Sequence, residues 1–286
     1  MPSRAACVAI LLFWAYAAVE LLRRDVLPDF WVTPPPDLRS IAAAEEDARP
    51  TQWELSVAED SGLRGLRPVG RAVTESRRTP DGGTELIGHV WFDSGSLLKG
   101  TRFDSQTNER LDVSNRLEID RSGNLRRFRA VVRSASSAGD LMTFDGKVEG
   151  RTFVLRSKSV IPLAQLNQTI SFPYEPRGVV QNAVGPIDRL PGLQVGQHWV
   201  TRVVDPLTGS ARDVKFEVTG KHAIQWDNNV VTTLEVVQRM PPFSARTWVR
   251  RDGLVLRQEV PFPFVKLILE RLPDRGDRGK VGAITP

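Results

Sequence analysis

The chain has 286 residues and a mass of 31.9 kDa, with 41% apolar and 26% charged residues. That is enough to fill one large core or two small ones, and it excludes disorder along the whole chain and a collagen-like repeat. A single cysteine, Cys7, excludes an internal disulfide framework and a thiolate metal cage, and the three histidines (His89, His198, His222) are too scattered to suggest a metal centre. Net charge is +5, from 39 basic and 34 acidic residues, 32 of the basic ones being Arg.

Residues 5–22, AACVAILLFWAYAAVELL, form the one stretch of membrane length, interrupted by Glu20. As a helix it spans about 27 Å, the short end for crossing a bilayer. An uncleaved anchor uses the whole stretch, with Trp14 and Tyr16 placed to approach an interface. A signal peptide instead reads Ala6 to Trp14 as its apolar run and Ala15-Tyr16-Ala17 as its cleavage site. A buried soluble helix is the third reading. Residues 1–24 are therefore expected to be a transmembrane anchor or signal segment. Both place the main domain outside the bacterial inner membrane, either held there by a single pass or secreted after cleavage.

Residues 25–50 follow as a spacer. Pro28 and Pro34 to Pro36 favour stiff polyproline II, and residues 38–49 read as a short helix ended by Pro50. From Trp53 onward the period is two. Leu111, Val113, Asn115, Leu117 and Ile119 alternate with polar residues; so do Phe128, Ala130 and Val132 with Arg127, Arg129 and Arg133, and Val214, Phe216 and Val218 with Lys215 and Glu217. Such alternation predicts half-buried strands. Turn signals at Asp81-Gly82-Gly83, Ser122-Gly123-Asn124, Asp145-Gly146, Asp227-Asn228-Asn229 and Asp252-Gly253 separate them.

The expected fold is mainly β. It is a strongly curved antiparallel sheet of roughly ten to twelve strands, a half-barrel or open barrel over residues 51–272, with one or two short helices. Two meander halves, 51–159 and 196–272, are joined by a Pro-rich irregular segment, 160–195. That segment reads either as a lid or as a crossing whose apolar residues plug the core. Residues 273–286, rich in Gly, Arg and Asp, read as a loose tail.

Three runs resemble a known pattern: Gly192 to Trp199 (GLQVGQHW) with Asp205-Pro206 beyond it, Thr247 to Glu259 (TWVRRDGLVLRQE), and Asp145 to Leu155 (DGKVEGRTFVL). They are similar to the β-rich, non-catalytic region upstream of transglutaminase-like domains in exported bacterial proteins. The outline also looks like periplasmic half-barrels of the lipoprotein-carrier kind. The resemblance implies an exported β-domain that binds a ligand or assists a partner. It does not bring transglutaminase chemistry, because the one cysteine lies in the apolar N-terminal segment.

Candidate chemistry is sparse. Ser210, His222 and Asp227 can be drawn as a hydrolytic set, but no G-x-S-x-G elbow supports it. His89 reads as a sheet residue. Glu45-Glu46-Asp47 and Asp25/Asp29 lack a calcium-loop pattern, and no Gly-rich phosphate cradle opens a helix. No enzyme activity and no cofactor or metal is expected. Arg126, Arg127, Arg129 and Arg133 form the most basic local feature. Arg127, Arg129 and Arg133 on one strand face either grip phosphate or carboxylate groups or pair with neighbouring acids. Trp199 and Trp248 read as core residues or as a ligand platform. Residues 260–269 are the most apolar stretch after the N-terminus, and Arg275-Gly276-Asp277 is a bare tripeptide match.

The functional expectation is a membrane-anchored, non-enzymatic binding module. It takes an apolar or lipid-like ligand, or an envelope protein, with residues 5–22 in the membrane and no nucleic acid partner. The alternative is a structural scaffold whose sheet is filled. A large apolar cavity points to the first, a solid core to the second.

Overall fold

The computed structural model describes residues 50–58, 65–99, 109–160, 167–174, 186–205, 210–240, 243–262 and 265–273, together with Phe13, Trp14, Tyr16, Ala17, Glu20 and Pro36. Most of the N-terminal segment, the spacer, Cys7, the acidic spacings at 25–47 and the tail from 274 onward, including the 275–277 tripeptide, lie outside the described residues. Phe13, Trp14, Tyr16, Ala17 and Glu20 are helical, and the three aromatic ones are exposed. Among the described residues no helix is long and apolar enough to cross a membrane.

The alternating segments become fourteen strands. The first group is β1 (Thr51–Ala58), β2 (Leu66–Arg78), β3 (Thr84–Asp93), β4 (Arg110–Ile119), β5 (Leu125–Ser134), β6 (Asp140–Glu149), β7 (Thr152–Ser159) and β8 (Gln168–Pro173). A short helix, α1 (Ser94–Leu98), follows β3. The second group is β9 (His198–Asp205), β10 (Ser210–Trp226), β11 (Asn229–Met240), β12 (Phe243–Arg250), β13 (Val255–Phe262) and β14 (Val265–Arg271). The turns fall where Gly, Asp and Asn are placed. Asp227 and Asn228, for example, both take positive φ in the tight turn from β10 to β11.

All fourteen strands form one antiparallel sheet in the order β8-β7-β6-β5-β4-β3-β2-β1-β14-β13-β12-β11-β10-β9. The first meander walks out from β1 to one edge. The chain then crosses to the opposite edge, and the second meander walks back until β14 pairs with β1, setting Trp53 opposite Arg271 and Leu55 opposite Leu269. The two expected halves are thus one sheet, with the first and last strands at its centre. The edge strands β8 and β9 do not pair, so the sheet is open. Residues Gln168–Pro173, read from sequence as part of an irregular segment, supply the edge strand β8.

The sheet is curled at both flanks. Trp226 Nε1, at the end of β10, donates to Arg271 O on β14 at 2.7 Å. In a flat sheet those strands stand four spacings apart, roughly 19 Å. Tyr174, just past β8, accepts the Leu125 N–H of β5 at 2.8 Å, across three spacings.

Curling turns one face of every strand inward. Trp53, Leu55, Val90, Trp199, Val218, Val236, Val249 and Leu269 are buried in one cluster drawn from both halves. A second cluster fills the β4–β8 flank around Phe128, Phe144, Phe153 and Leu155, and a third surrounds Trp226, Leu254 and Leu256. Burying each large apolar side chain stabilises the fold by about 1.5–3 kcal/mol. Glycine fits closely at position 146, because a Cβ there would overlap the ring of the fully buried Phe153.

Residues 186–197 form a strap over the inward face. Leu190 N donates to Gly253 O at 2.8 Å, Val255 N to Asp188 O at 3.0 Å, and Gly196 N to Val218 O at 2.9 Å. Gln258 Oε1 accepts the Ile187 N–H at 2.9 Å. Ile187, Leu190 and Leu193 pack on the main core. Gly253, at φ +85°, lets the strap pass close, since a Cβ there would sit 2.8 Å from Pro191 Cα. Residues 186–195 of the expected lid or plug are therefore seated on the core.

Candidate functional site

Beneath the strap lies a buried polar network. Trp53 Nε1 donates to Thr74 Oγ1 at 3.1 Å, and the Thr74 hydroxyl donates to Asp188 Oδ1 at 2.6 Å. Asp188 Oδ1 also faces Arg271 Nη1 at 3.8 Å, and Arg271 Nη2 donates to Thr51 Oγ1 at 3.1 Å. The Arg271 guanidinium lies 6.0 Å from the Trp53 ring centre, a cation–π contact, with its side chain 7% exposed. Desolvating a guanidinium is costly unless a carboxylate and hydrogen-bond acceptors meet it. The strap supplies that carboxylate. This arrangement specifies where residues 186–190 sit.

The hydrolytic set drawn from sequence is not assembled. Ser210 and His222 lie on the same strand, twelve residues apart or roughly 40 Å at about 3.3 Å per residue. The His222 Nε2 atom instead lies 3.2 Å from Glu235 Oε2, which accepts the Thr219 hydroxyl at 2.6 Å. Imidazole and hydroxyl thus address the same carboxylate, not each other. His198 Nδ1 lies 3.1 Å from Gly196 O. His89 is exposed on β3, opposite Ser114. Among the described residues no three His, Cys, Asp or Glu side chains are grouped to hold a metal ion.

The two tryptophans singled out from sequence take opposite faces. Trp199 is buried in the main core and stacked on Phe216 with ring centres 5.1 Å apart. Trp248 is buried on the outer face beneath Arg257, whose guanidinium stands 5.4 Å from the ring centre. The neighbouring centre of that outer face holds Glu54 directly opposite Glu270, with Arg71 and Arg257 flanking them. Burial pushes the Glu270 carboxyl above its ordinary range; Arg257 opposes this and the Glu54 charge adds to it.

Arg127, Arg129 and Arg133 do share the outer face of β5 and are exposed, as their spacing predicts. Each is met by an acid. Arg133 Nε donates to Asp140 at 2.7 Å, while Arg127 and Arg129 share Asp145 at 4.0 and 3.9 Å. Arg126 is paired with Asp81. The pairings with Asp140 and Asp145 follow from the β5–β6 register, which sets Arg129 opposite Asp145, and a single strand does not reveal that register.

One strand further out the balance changes. On β7, Phe153, Leu155 and Ser157 turn inward, so Arg156 and Lys158 turn outward and are exposed. Among the described residues neither has a carboxylate within 4 Å. The register places Arg156 opposite Thr169 of β8 and Lys158 opposite Thr143 of β6. These four side chains line an open cleft of about 700 Å³ that also takes in Gln168, Asn167 and one acid, Asp140. Asn167 anchors its rim, accepting the Ser159 N–H at 2.8 Å and donating to Ser159 O at 3.2 Å. The sequence signal was the absence of any carboxylate in Gln168–Pro173, and it becomes visible only once that segment is known to be the neighbouring strand.

No family model matches the chain, and no curated protein does. Among solved structures, a β-barrel-like protein of domain of unknown function DUF1849 from Brucella abortus is similar at 13% identity, covering 78% of this chain and 94% of that one, with a TM-score of 0.49. The hypothetical lipoprotein YmcC from Escherichia coli is similar at 12% identity, covering 84% and 98%, with a TM-score of 0.28. Neither carries the expected link to transglutaminase-associated regions.

Proposed function

We propose that this chain is a non-enzymatic, membrane-anchored envelope domain that works as a scaffold, engaging its ligands or partners on its outer surface. The observation that supports this reading is a strap seated on a buried apolar core. Trp53, Leu55, Val218 and Val249 are fully buried, and the strap that closes over them is held by backbone hydrogen bonds and by the Asp188–Arg271 pair. A carrier with an interior ligand has to open that strap, breaking those hydrogen bonds and leaving the Arg271 guanidinium without Asp188. Residues 5–22 supply the anchor, and the Pro-rich spacer holds the sheet away from the bilayer.

Transfer of a fluorescent phospholipid between donor and acceptor vesicles tests the reading with the full chain. The scaffold reading predicts the protein-free rate at every protein concentration. A rate that rises with protein and saturates would return the function to an interior lipid carrier.

A further inference from the structure

The outer flank of the sheet carries a cleft whose two cations, Arg156 and Lys158, have no carboxylate within 4 Å among the described residues. We infer that the cleft lined by Thr143, Arg156, Lys158 and Thr169 is a binding site for the phosphate group of an anionic ligand. The inference deepens the outer-surface reading above and rests on it.

Three features lead there. First, the geometry is concave, at the edge of the sheet, where β8 is paired on one side only. Second, Arg156 and Lys158 are two residues apart on one strand face, so their stems stand roughly 7 Å apart. A guanidinium gives a planar fork and an ammonium a mobile point charge, together suited to two oxygens of one phosphate. Third, each cation has a hydroxyl directly across the strand, Thr169 for Arg156 and Thr143 for Lys158, able to donate to the remaining oxygens. The nearest acid across from Arg156, Asp145, already faces both Arg127 and Arg129. Asp140, in the cleft wall, is paired with Arg133 at 2.7 Å, so both acids are already engaged by other cations. A carboxylate ligand would satisfy the fork but leave the hydroxyls idle, so the four groups favour a tetrahedral anion.

That chemistry comes from two sources, a phospholipid head group in a membrane surface or a free phosphate or phosphodiester in solution. The test uses the full chain in phosphatidylcholine nanodiscs, titrated separately with inorganic phosphate, with glycerophosphoglycerol and with phosphatidylglycerol vesicles. Saturable binding that weakens between 50 and 200 mM salt is expected in at least one arm, as screening requires of an exposed site. Binding to the soluble anions assigns a solution ligand, and binding to the vesicles alone assigns a head group. R156Q/K158Q is expected to weaken that binding about 30-fold, at roughly one logarithmic step or slightly less per cation. R127Q/R129Q is expected to change it less than threefold. A matched near-ultraviolet circular dichroism spectrum confirms the fold of both variants. Absence of binding in all three arms, or equal binding by R156Q/K158Q and the parent, overturns the inference. Lipid transfer reads the interior and this titration reads the cleft, so each can fail without the other.

Discussion

The centre of the sheet and its β5–β8 flank are made from the same alternating strands, yet they place their polar groups in opposite ways. At the centre, Thr51, Thr74, Gln258 and Arg271 turn inward and are met by one another or by the strap. On the flank the inward side is almost wholly apolar around Phe128, Phe144 and Phe153, and the charged residues stand in water. Inward polar groups are tolerable only with complete partners, and so they fix one arrangement of the chain. Outward cations such as Arg156 and Lys158 add little to stability either way and remain available to a ligand. One region specifies the fold and the other is free to bind.

The sharpest way to break this contrast is to remove the strap's carboxylate. Asp188→Ala is expected to lower stability by about 3 kcal/mol, the lower end for breaking a buried pair because Asp188 is partly exposed and stands 3.8 Å from Arg271. Denaturant unfolding reads the loss, and hydrogen exchange at Leu190 and Val255 should rise with it. Replacing both partners, D188L/R271M, should recover most of the stability, because an apolar pair leaves no charge uncompensated. If the double variant is as unstable as the single, the network is not what holds the strap.

The flank should respond to packing instead of polarity. Gly146→Ala is expected to cost about 1–3 kcal/mol by forcing the Phe153 ring aside, and F153L should rescue part of it by making room. An additive double variant would contradict that contact.

A smaller effect, of opposite sign, belongs to the outer centre. The Glu270 carboxyl titrates above its ordinary range in the folded chain, so the folded state holds that proton more readily than the unfolded one. The ionised group therefore subtracts from stability above the raised pKa, and acidification toward the ordinary glutamate range relieves the loss. Glu270→Gln should stabilise at pH 7 by under about 1 kcal/mol, since like charges directly opposite across strands repel. It should also flatten the mildly acidic limb of stability against pH. A destabilised E270Q at pH 7 would show that Arg257 outweighs burial and Glu54. Smallest of all, R156Q/K158Q should leave stability within about 0.5 kcal/mol of the parent by thermal unfolding, although it abolishes most anion binding.

The strands were legible because each half-buried strand writes its own pattern. Leu111 to Ile119 alternates and becomes the heart of β4, and the Asp227-Asn228 turn predicts the β10–β11 hairpin. Pairing between strands is not written locally. That Arg129 faces Asp145, that β14 returns to β1, and that Asp188 reaches Thr74 over 114 residues all depend on register and crossing. The strand Gln168–Pro173 was hidden by the prolines around it, and with it went the neighbour that sets Thr169, not an acid, on the outer side of Arg156. Sequence thus pointed to an arginine-bearing outer face and to the alternation that builds it, and the register moved the candidate site from β5 to β7.

Hydrogen exchange of the full chain in phosphatidylcholine nanodiscs, with and without phosphatidylglycerol and glycerophosphoglycerol, addresses the interior and the surface together. The account predicts added protection in Thr152–Ser159 and Gln168–Pro173, with the Leu190 and Val255 amides unchanged. Loss of protection at Leu190 and Val255 on adding lipid, with none gained on β7 and β8, would mean that the strap opens and that the ligand goes inside.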